Sequence, residues 1–309
     1  MGIFDSFRKR TSPPPTTAAP ASEKMAALQV LFAAPLSDDT AHLQSVVRAF
    51  DPTLDGATVS GIGTGDDSQG PRSFLGQFEW GAHRVEVVAF GLPMPAEVVE
   101  KCVAPAAYQE EDKARARSQK AHALLYYKGK AVNMTEQFVA VALIAGALCA
   151  ENGLAVLNEG AHTSMPATLF APDFTVRNNI TPARFLRGLA PLDLFAGFVK
   201  YQVEGVPGIW MRTYGMDEFD LPNLATHASG HDQSSRVFDI FCNVTSYLLV
   251  QGPVLAAGHT MQIGADEFVR LRELSPEESM LGDGAPLLVA EFIRSDEANP
   301  HVFGSETAH

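Results

Sequence analysis

The sequence predicts an α+β fold: a mixed or antiparallel sheet with two long core helices, arranged as two similar halves. Three observations carry this. Short apolar or alternating runs bounded by Gly, Pro and Asn recur along the chain, as strands do. Two longer stretches, Phe138 to Ala150 and Ser234 to Val250, have the length and apolar content of buried helices. Each is followed by a related segment, "GLAVLNEGAHT" from Gly153 and "GPVLAAGHT" from Gly252. Identity around these twins is low. An ancient duplication and two unrelated helix-to-strand returns therefore both account for them.

The elements follow in order. Residues 1–23 read as a disordered arm, because "SPPPTTAAPAS" cannot pack a core. "LQVLFAA" (28–34) is a strand, and Ser37 and Asp38 offer caps for a helix to Phe50. "TVSGIGTGDDSQGPRS" reads as mostly loop. "FLGQFEW" and "HRVEVVAFG" make a hairpin turning at Gly81-Ala82, and residues 96–118 read as helical. "AHALLYYKG" is a strand, Asn133 caps the apolar helix after it, and "LAVLN" returns as a strand, giving a β-α-β unit.

Thr181-Pro182 starts a further helix. "DLFAGFVKYQVEG" and "PGIWMRTYG" are two strands joined at 205–207. "MDEFDLPNLATHASGHDQ" reads as an acidic, turn-rich connection. The second long helix follows, with Val237, Ile240, Phe241, Val244 and Leu248 as its apolar stripe, and Gly252 ends it. "PVLAA" and "TMQI" are short strands, Ser275 to Glu278 form a capping box, and "PLLVAEFI" is the last strand. The implied units are 24–190 and 191–295, with a frayed tail at 296–309.

Composition narrows the functional classes. The chain has 23 basic and 36 acidic side chains, a formal charge of −13, which argues against a nucleic-acid surface. Its three cysteines lack CxxC spacing and read as small core hydrophobes, not zinc ligands or a disulfide framework. No run reaches the ~18 apolar residues of a membrane span. Nothing resembles a signal peptide, so a cytoplasmic location is expected. Within residues 1–10, Ile3, Phe4 and Phe7 beside Arg8, Lys9 and Arg10 suit a weak peripheral membrane or partner contact.

Motifs for chemistry are sparse. Gly61, Gly63 and Gly65 alternate, but Asp66 and Asp67 follow where a phosphate loop needs a helix N-terminus, so no cofactor is predicted. His227 and His231 are four apart, with Asp217 and Asp220 upstream, which is a candidate metal set. His162, His259 and Thr260, in the twin corners, are candidate catalytic groups, with Ser164 beside the first. No G-x-S-x-G elbow supports a serine nucleophile. Trp210, Tyr214, Met216 and Phe219 are concentrated as core packing would have them, and exposed they would suit a protein-binding face.

The stretch "IWMRTYGMDEFDLPNL", the long helix, "GPVLAAGHTMQIG" and the final apolar strand resemble the DUF4261 family of bacterial proteins over about residues 205–295. Thr213, Gly215, Phe219 and Pro222 fall on one family motif, and Gly258, His259, Thr260 and Gly264 on another. Ala257 stands where the family usually has Asp, which weakens an acid–His pairing. The resemblance implies architecture and no activity, and it makes His259 the first histidine to mutate.

The expected function is that of a cytoplasmic, non-enzymatic protein acting through a protein partner. The alternative is a metal-dependent or His-based hydrolase. A further alternative is a peripheral membrane adaptor working through residues 1–10.

Overall fold

The computed structural model describes residues 24–61, 66–67, 70–171, 179–252 and 255–297. The arm at 1–23 and most of the tail expected at 296–309 lie outside these residues, as do Gly63 and Gly65. The α+β expectation holds: helices pack on two mostly antiparallel sheets.

The first sheet is built around β1 (Ala27–Phe32). Its strand order is β2 (Thr58–Gly61), β4 (Gly70–Trp80), β5 (His83–Phe90), β6 (Ala121–Tyr127), β1, β7 (Gly153–Asn158) and β8 (Thr163–Pro166). A short β3 (Asp66–Asp67) pairs with β4. Both β6 and β7 run antiparallel to β1, so β1 lies between the two strands of the expected β-α-β unit.

Between β6 and β7 the chain forms α4 (Met134–Cys149), which follows α1 (Thr40–Phe50), α2 (Ala96–Val103) and α3 (Glu110–Arg117). Asn133 caps α4 by accepting from the Glu136 N–H. Every residue from Phe138 to Leu148 is buried. The reason is visible in the packing: α4 lies between the sheet and two further helices, α1 and α5 (Pro182–Arg187). Leu28, Val30 and Phe32 of β1 face this layer, while Leu31 faces α2 and α3 across the sheet.

The second sheet has the order β12 (Thr260–Gln262), β13 (Glu267–Arg272), β14 (Leu287–Arg294), β11 (Asn223–Ala228), β10 (Ile209–Tyr214), β9 (Gly197–Tyr201). One face is covered by α7 (Ser234–Gln251), and α6 (Pro191–Leu194) packs against α7. Val237, Phe241, Val244 and Leu248 are buried as expected, but Tyr247 and Val250 are exposed, so α7 is an amphipathic cover and only α4 is a core helix on all sides. Gly252 ends α7 at φ 65. The two sheets have different strand orders, so the halves are similar in kind and not in connection.

Several local expectations are corrected. Asp39, not Ser37 or Asp38, caps α1, accepting from the Ala41 and His42 N–H groups. The helical stretch 96–118 breaks between α2 and α3, where Pro105 lacks an N–H to continue. The "loop" at 58–73 holds β2, β3 and the first residues of β4. The acidic connection 216–233 holds β11, a central strand, because Leu224, Ala225 and Thr226 are small or apolar enough to be buried on both faces. β13 was not expected at all, and residues 255–257 form no strand.

A seam joins the halves. Phe138 of α4 stacks on Phe195 and on Phe219, each at 5.5 Å between centroids. Asn158 at the end of β7 donates to the Leu194 and Phe195 carbonyls at 3.0 and 3.1 Å. Gly197 lies so close to Ala161 that a Cβ there would collide with its carbonyl oxygen. Around the expected boundary at 190/191 the two cores interleave: Leu186 of α5 and Leu194 of α6 join the first, and Leu192 of α6 joins the second.

Candidate functional site

The seam opens into a cleft of about 1100 Å³ at one end of the second sheet. The end of β10, the starts of β11 and β14 and the residue after β13 form one side. Lys101 of α2 and Gly160 and His162 of the β7–β8 turn form the other.

A three-part stack backs the cleft, with His162 and Tyr214 lining it. His162 lies on Tyr214 with centroids 4.1 Å apart and planes 26° from parallel. The Arg212 guanidinium carbon sits 4.2 Å from the centroid of the same Tyr214 ring. His162 reaches this position in a left-handed backbone conformation, φ 52, which only a turn residue adopts readily. Burial, with Lys101 and Arg212 nearby, holds its imidazole down to about 4, so the ring is neutral at pH 7. Burial also raises the Tyr214 phenol.

Arg212 is 1% exposed. It donates to the Leu281 carbonyl, and its Nη2 lies 2.7 Å from Asp283 Oδ2. That contact is close in distance but off the hydrogen-bond angle, and Nε has no hydrogen-bond partner among the described residues. It is an ion pair. Burial pushes the Asp283 carboxyl up, but the Arg212 charge and the Ala285 N–H outweigh this, and it lies below its ordinary value.

An acidic turn follows Tyr214 in the chain. Gly215, at φ 80, starts it and packs under Ala161. Asn223 closes it: its Oδ1 accepts from Thr213 Oγ1 (3.4 Å) and the Met216 N–H (3.2 Å), and its Nδ2 donates to Asp217 Oδ1 (3.4 Å). Thr213 Oγ1 in turn accepts from the Leu224 N–H at 2.8 Å. Lys24 donates to the Asp217 carbonyl and lies 2.6 Å from Asp220 Oδ1. Burial raises the Glu218 carboxyl, and Asp217 adds to the effect.

In all, Asp217, Asp220, Glu273 and Asp283 line the cleft against Lys24 and Lys101, with His162 neutral. The cleft is net negative.

The sequence candidates separate. His162, Asp217, Asp220 and Tyr214 meet at this cleft. His259 and Thr260 do not line it: the His259 Nδ1 accepts from the Ala256 N–H at 3.2 Å, and Thr260 is buried in β12 against Arg270. His162, and not His259, is the histidine at the cleft. His227 lies on β11 at the other end of the sheet, edge-on to Trp210 and donating to the Pro207 carbonyl at 2.8 Å. His231 opens an exposed turn before α7. The four expected metal ligands are thus split between places, and among the described residues no three His, Cys, Asp or Glu side chains gather to hold a metal ion.

Trp210 and Met216 are buried, and Phe219 is stacked on Phe138, so these three pack in the core, while Tyr214 of the same cluster lines the cleft. Ser164 is buried, donating to the Cys102 carbonyl and hydrogen-bonded to the Tyr108 hydroxyl, so it is not a nucleophile for His162. All three cysteines are free, and burial raises each thiol to about 12. Sequence reasoning passed over Arg212, Asp283 and Lys101. The signal for Arg212 was present: an arginine inside the apolar run "IWMRTY" must find partners when it is buried.

The fold and the cleft define an α+β protein with a charged cleft at the seam between its two sheets. A family model described as a domain of unknown function, DUF4261, matches residues 212–283 of this chain. The match lies within the C-terminal third, begins at Arg212 and ends at Asp283, and is narrower than the resemblance read from sequence. No curated protein and no solved structure matches. The residues that carry the resemblance have a physical account. Thr213, Gly215 and Asn223 close the turn, while Phe219 anchors it to α4. The Gly258-His259-Thr260 motif is a self-bonded corner, in which the Gly258 N–H and the His259 carbonyl bond Leu271 at 2.7 and 2.8 Å. No helix among the described residues is long and apolar enough to cross a membrane.

Proposed function

We propose that this protein acts by binding, without catalysis, and that the cleft receives a basic peptide segment of a protein partner. The observation that carries this is the charge of the cleft: four carboxylates against two ammonium groups and the Arg212 guanidinium behind Tyr214, still net negative, beside a neutral aromatic wall of His162 and Tyr214. Such a surface favours Arg or Lys side chains at the rim and an aromatic or aliphatic side chain against the wall. The hydrolase alternative has less behind it. His162 shares the cleft with Asp217 and Asp220, but a base near 4 is weak at neutral pH, and its ring face is taken by Tyr214.

The test is fluorescence anisotropy with a labelled decapeptide of alternating Arg and Phe, and its Glu–Phe counterpart. The basic peptide binds, more weakly as salt rises, and Asp220→Asn with Glu273→Gln weakens it by about fivefold or more. Asn tolerates the left-handed backbone at 220 (φ 59), so the variant leaves the turn intact. Equal binding of the acidic peptide, or no binding of either, contradicts the proposal.

A further inference from the structure

The described chain begins at the cleft itself. Lys24 lines it, and its ammonium is held by Asp220 and by the Asp217 carbonyl. Twenty-three residues precede Lys24, and they contain a cluster of apolar and basic side chains: Ile3, Phe4 and Phe7, then Arg8, Lys9 and Arg10. We propose that this segment, residues 3–10, docks in the cleft of its own chain and competes there with the external partner. The inference rests on the reading of the cleft as a basic-peptide site.

Reach permits it. Residues 11–23 connect Arg10 to Lys24 and include Pro13, Pro14, Pro15 and Pro20. At ~3.1 Å per residue in the extended form that prolines favour, the connection spans up to about 40 Å, and shorter returns cost little. Starting from the rim of the cleft, the segment need not cross the molecule to enter it.

Charge complements. Asp217, Glu218 and Asp220 stand on one turn, and mutual repulsion together with burial raises the Glu218 carboxyl. Lys24 is the one cation bonded to that turn among the described residues, through an exposed pair of the kind worth about 0–1 kcal/mol. Three further cations from Arg8, Lys9 and Arg10 relieve the repulsion more fully. Shape fits as well: Leu221 and Leu288 line the same cleft as the His162–Tyr214 wall, an apolar surface for Phe4 or Phe7. Tethering adds an effective concentration on the order of millimolar, so a contact too weak to form between molecules is populated within one.

The experiment compares amide hydrogen exchange in the full chain and in the full-length variant Arg8→Glu, Lys9→Glu, Arg10→Glu. Docking predicts that residues 214–224 exchange at least threefold more slowly in the natural chain than in the variant. It also predicts that the variant binds the Arg–Phe decapeptide more tightly, because its cleft is vacated. Equal exchange with equal peptide affinity overturns the inference and leaves the proposed function standing. Failure of both proteins to bind the peptide overturns the proposed function and this inference with it. Binding of the natural chain to vesicles containing anionic lipid, with 214–224 exchanging as in the variant, also overturns it, because the segment then serves a membrane.

Discussion

Arg212 and Asp283 hold one another at 2.7 Å, the arginine fully buried and the aspartate side chain 42% exposed. They are also the first and last residues of the DUF4261 match, so the family segment closes on itself through this pair. Its energetics are asymmetric. Asp283 freed of its partner rehydrates, whereas Arg212 freed of Asp283 is left as a buried charge.

Asp283→Ala is therefore expected to cost about 3 kcal/mol, since breaking a buried pair from one side strands the other charge. Adding Arg212→Met removes that charge and keeps most of the volume, so the double variant is expected to recover about half of the loss. Urea unfolding of the three variants measures this. A double variant as unstable as the sum of the singles contradicts the account of Arg212.

The seam makes a second prediction. A methyl at Gly197 would overlap the Ala161 backbone, which cannot move as a side chain can, so Gly197→Ala is expected to cost about 3 kcal/mol or more. Gly215→Ala meets the Ala161 Cβ at 3.1 Å and a left-handed backbone, and should cost about 1–2 kcal/mol. Thermal unfolding ranks the two, and Gly197→Ala should be the worse.

Asn223 ties Thr213, Met216 and Asp217 together while only 1% exposed. Asn223→Ala leaves the Met216 N–H without its acceptor inside the protein, at a cost of about 1–3 kcal/mol. The acidic turn should loosen with it, seen as faster amide exchange at 215–221. An unchanged exchange pattern would mean that the turn holds its shape by other contacts.

His162 gives a pH dependence. Its folded value, about 4, lies below the ordinary 6.5, so the unfolded chain takes up the proton first. Its contribution is present above about pH 6.5 and is lost as pH falls toward 4. His162→Asn keeps the left-handed backbone and removes the titration. The difference in Tm between the two proteins should shrink or change sign as pH falls through that window. A constant difference means His162 does not titrate there.

How far the sequence revealed this molecule depended on what buried each residue. α4 was legible because its burial on all sides leaves an unbroken apolar run. The hairpin β4–β5 was legible from alternation around Gly81. β11 was not, because a central strand made of Ala, Thr and His between Asp-rich and Gly-rich turns has the composition of a loop. The cleft was half legible: Asp217, Asp220, His162 and Tyr214 were all singled out, but assigned to three different chemistries. Only the packing of Gly197 and Gly215 against Ala161 puts the two ends of that list side by side, and sequence spacing carries no trace of such a contact. Likewise, the shared "HT" of the twin segments marks two corners that each open a strand, at Thr163 and Thr260. One faces the cleft and the other bonds its own turn.

The most direct test of the central claim is to map amide chemical shifts of the isotope-labelled full chain, with the Arg8→Glu, Lys9→Glu, Arg10→Glu changes, during titration with the Arg–Phe decapeptide. The account predicts perturbations concentrated at Gly160–His162, Tyr214–Asn223 and Asp283–Leu288. Perturbations centred elsewhere, or none at peptide concentrations well above the protein's, would contradict it.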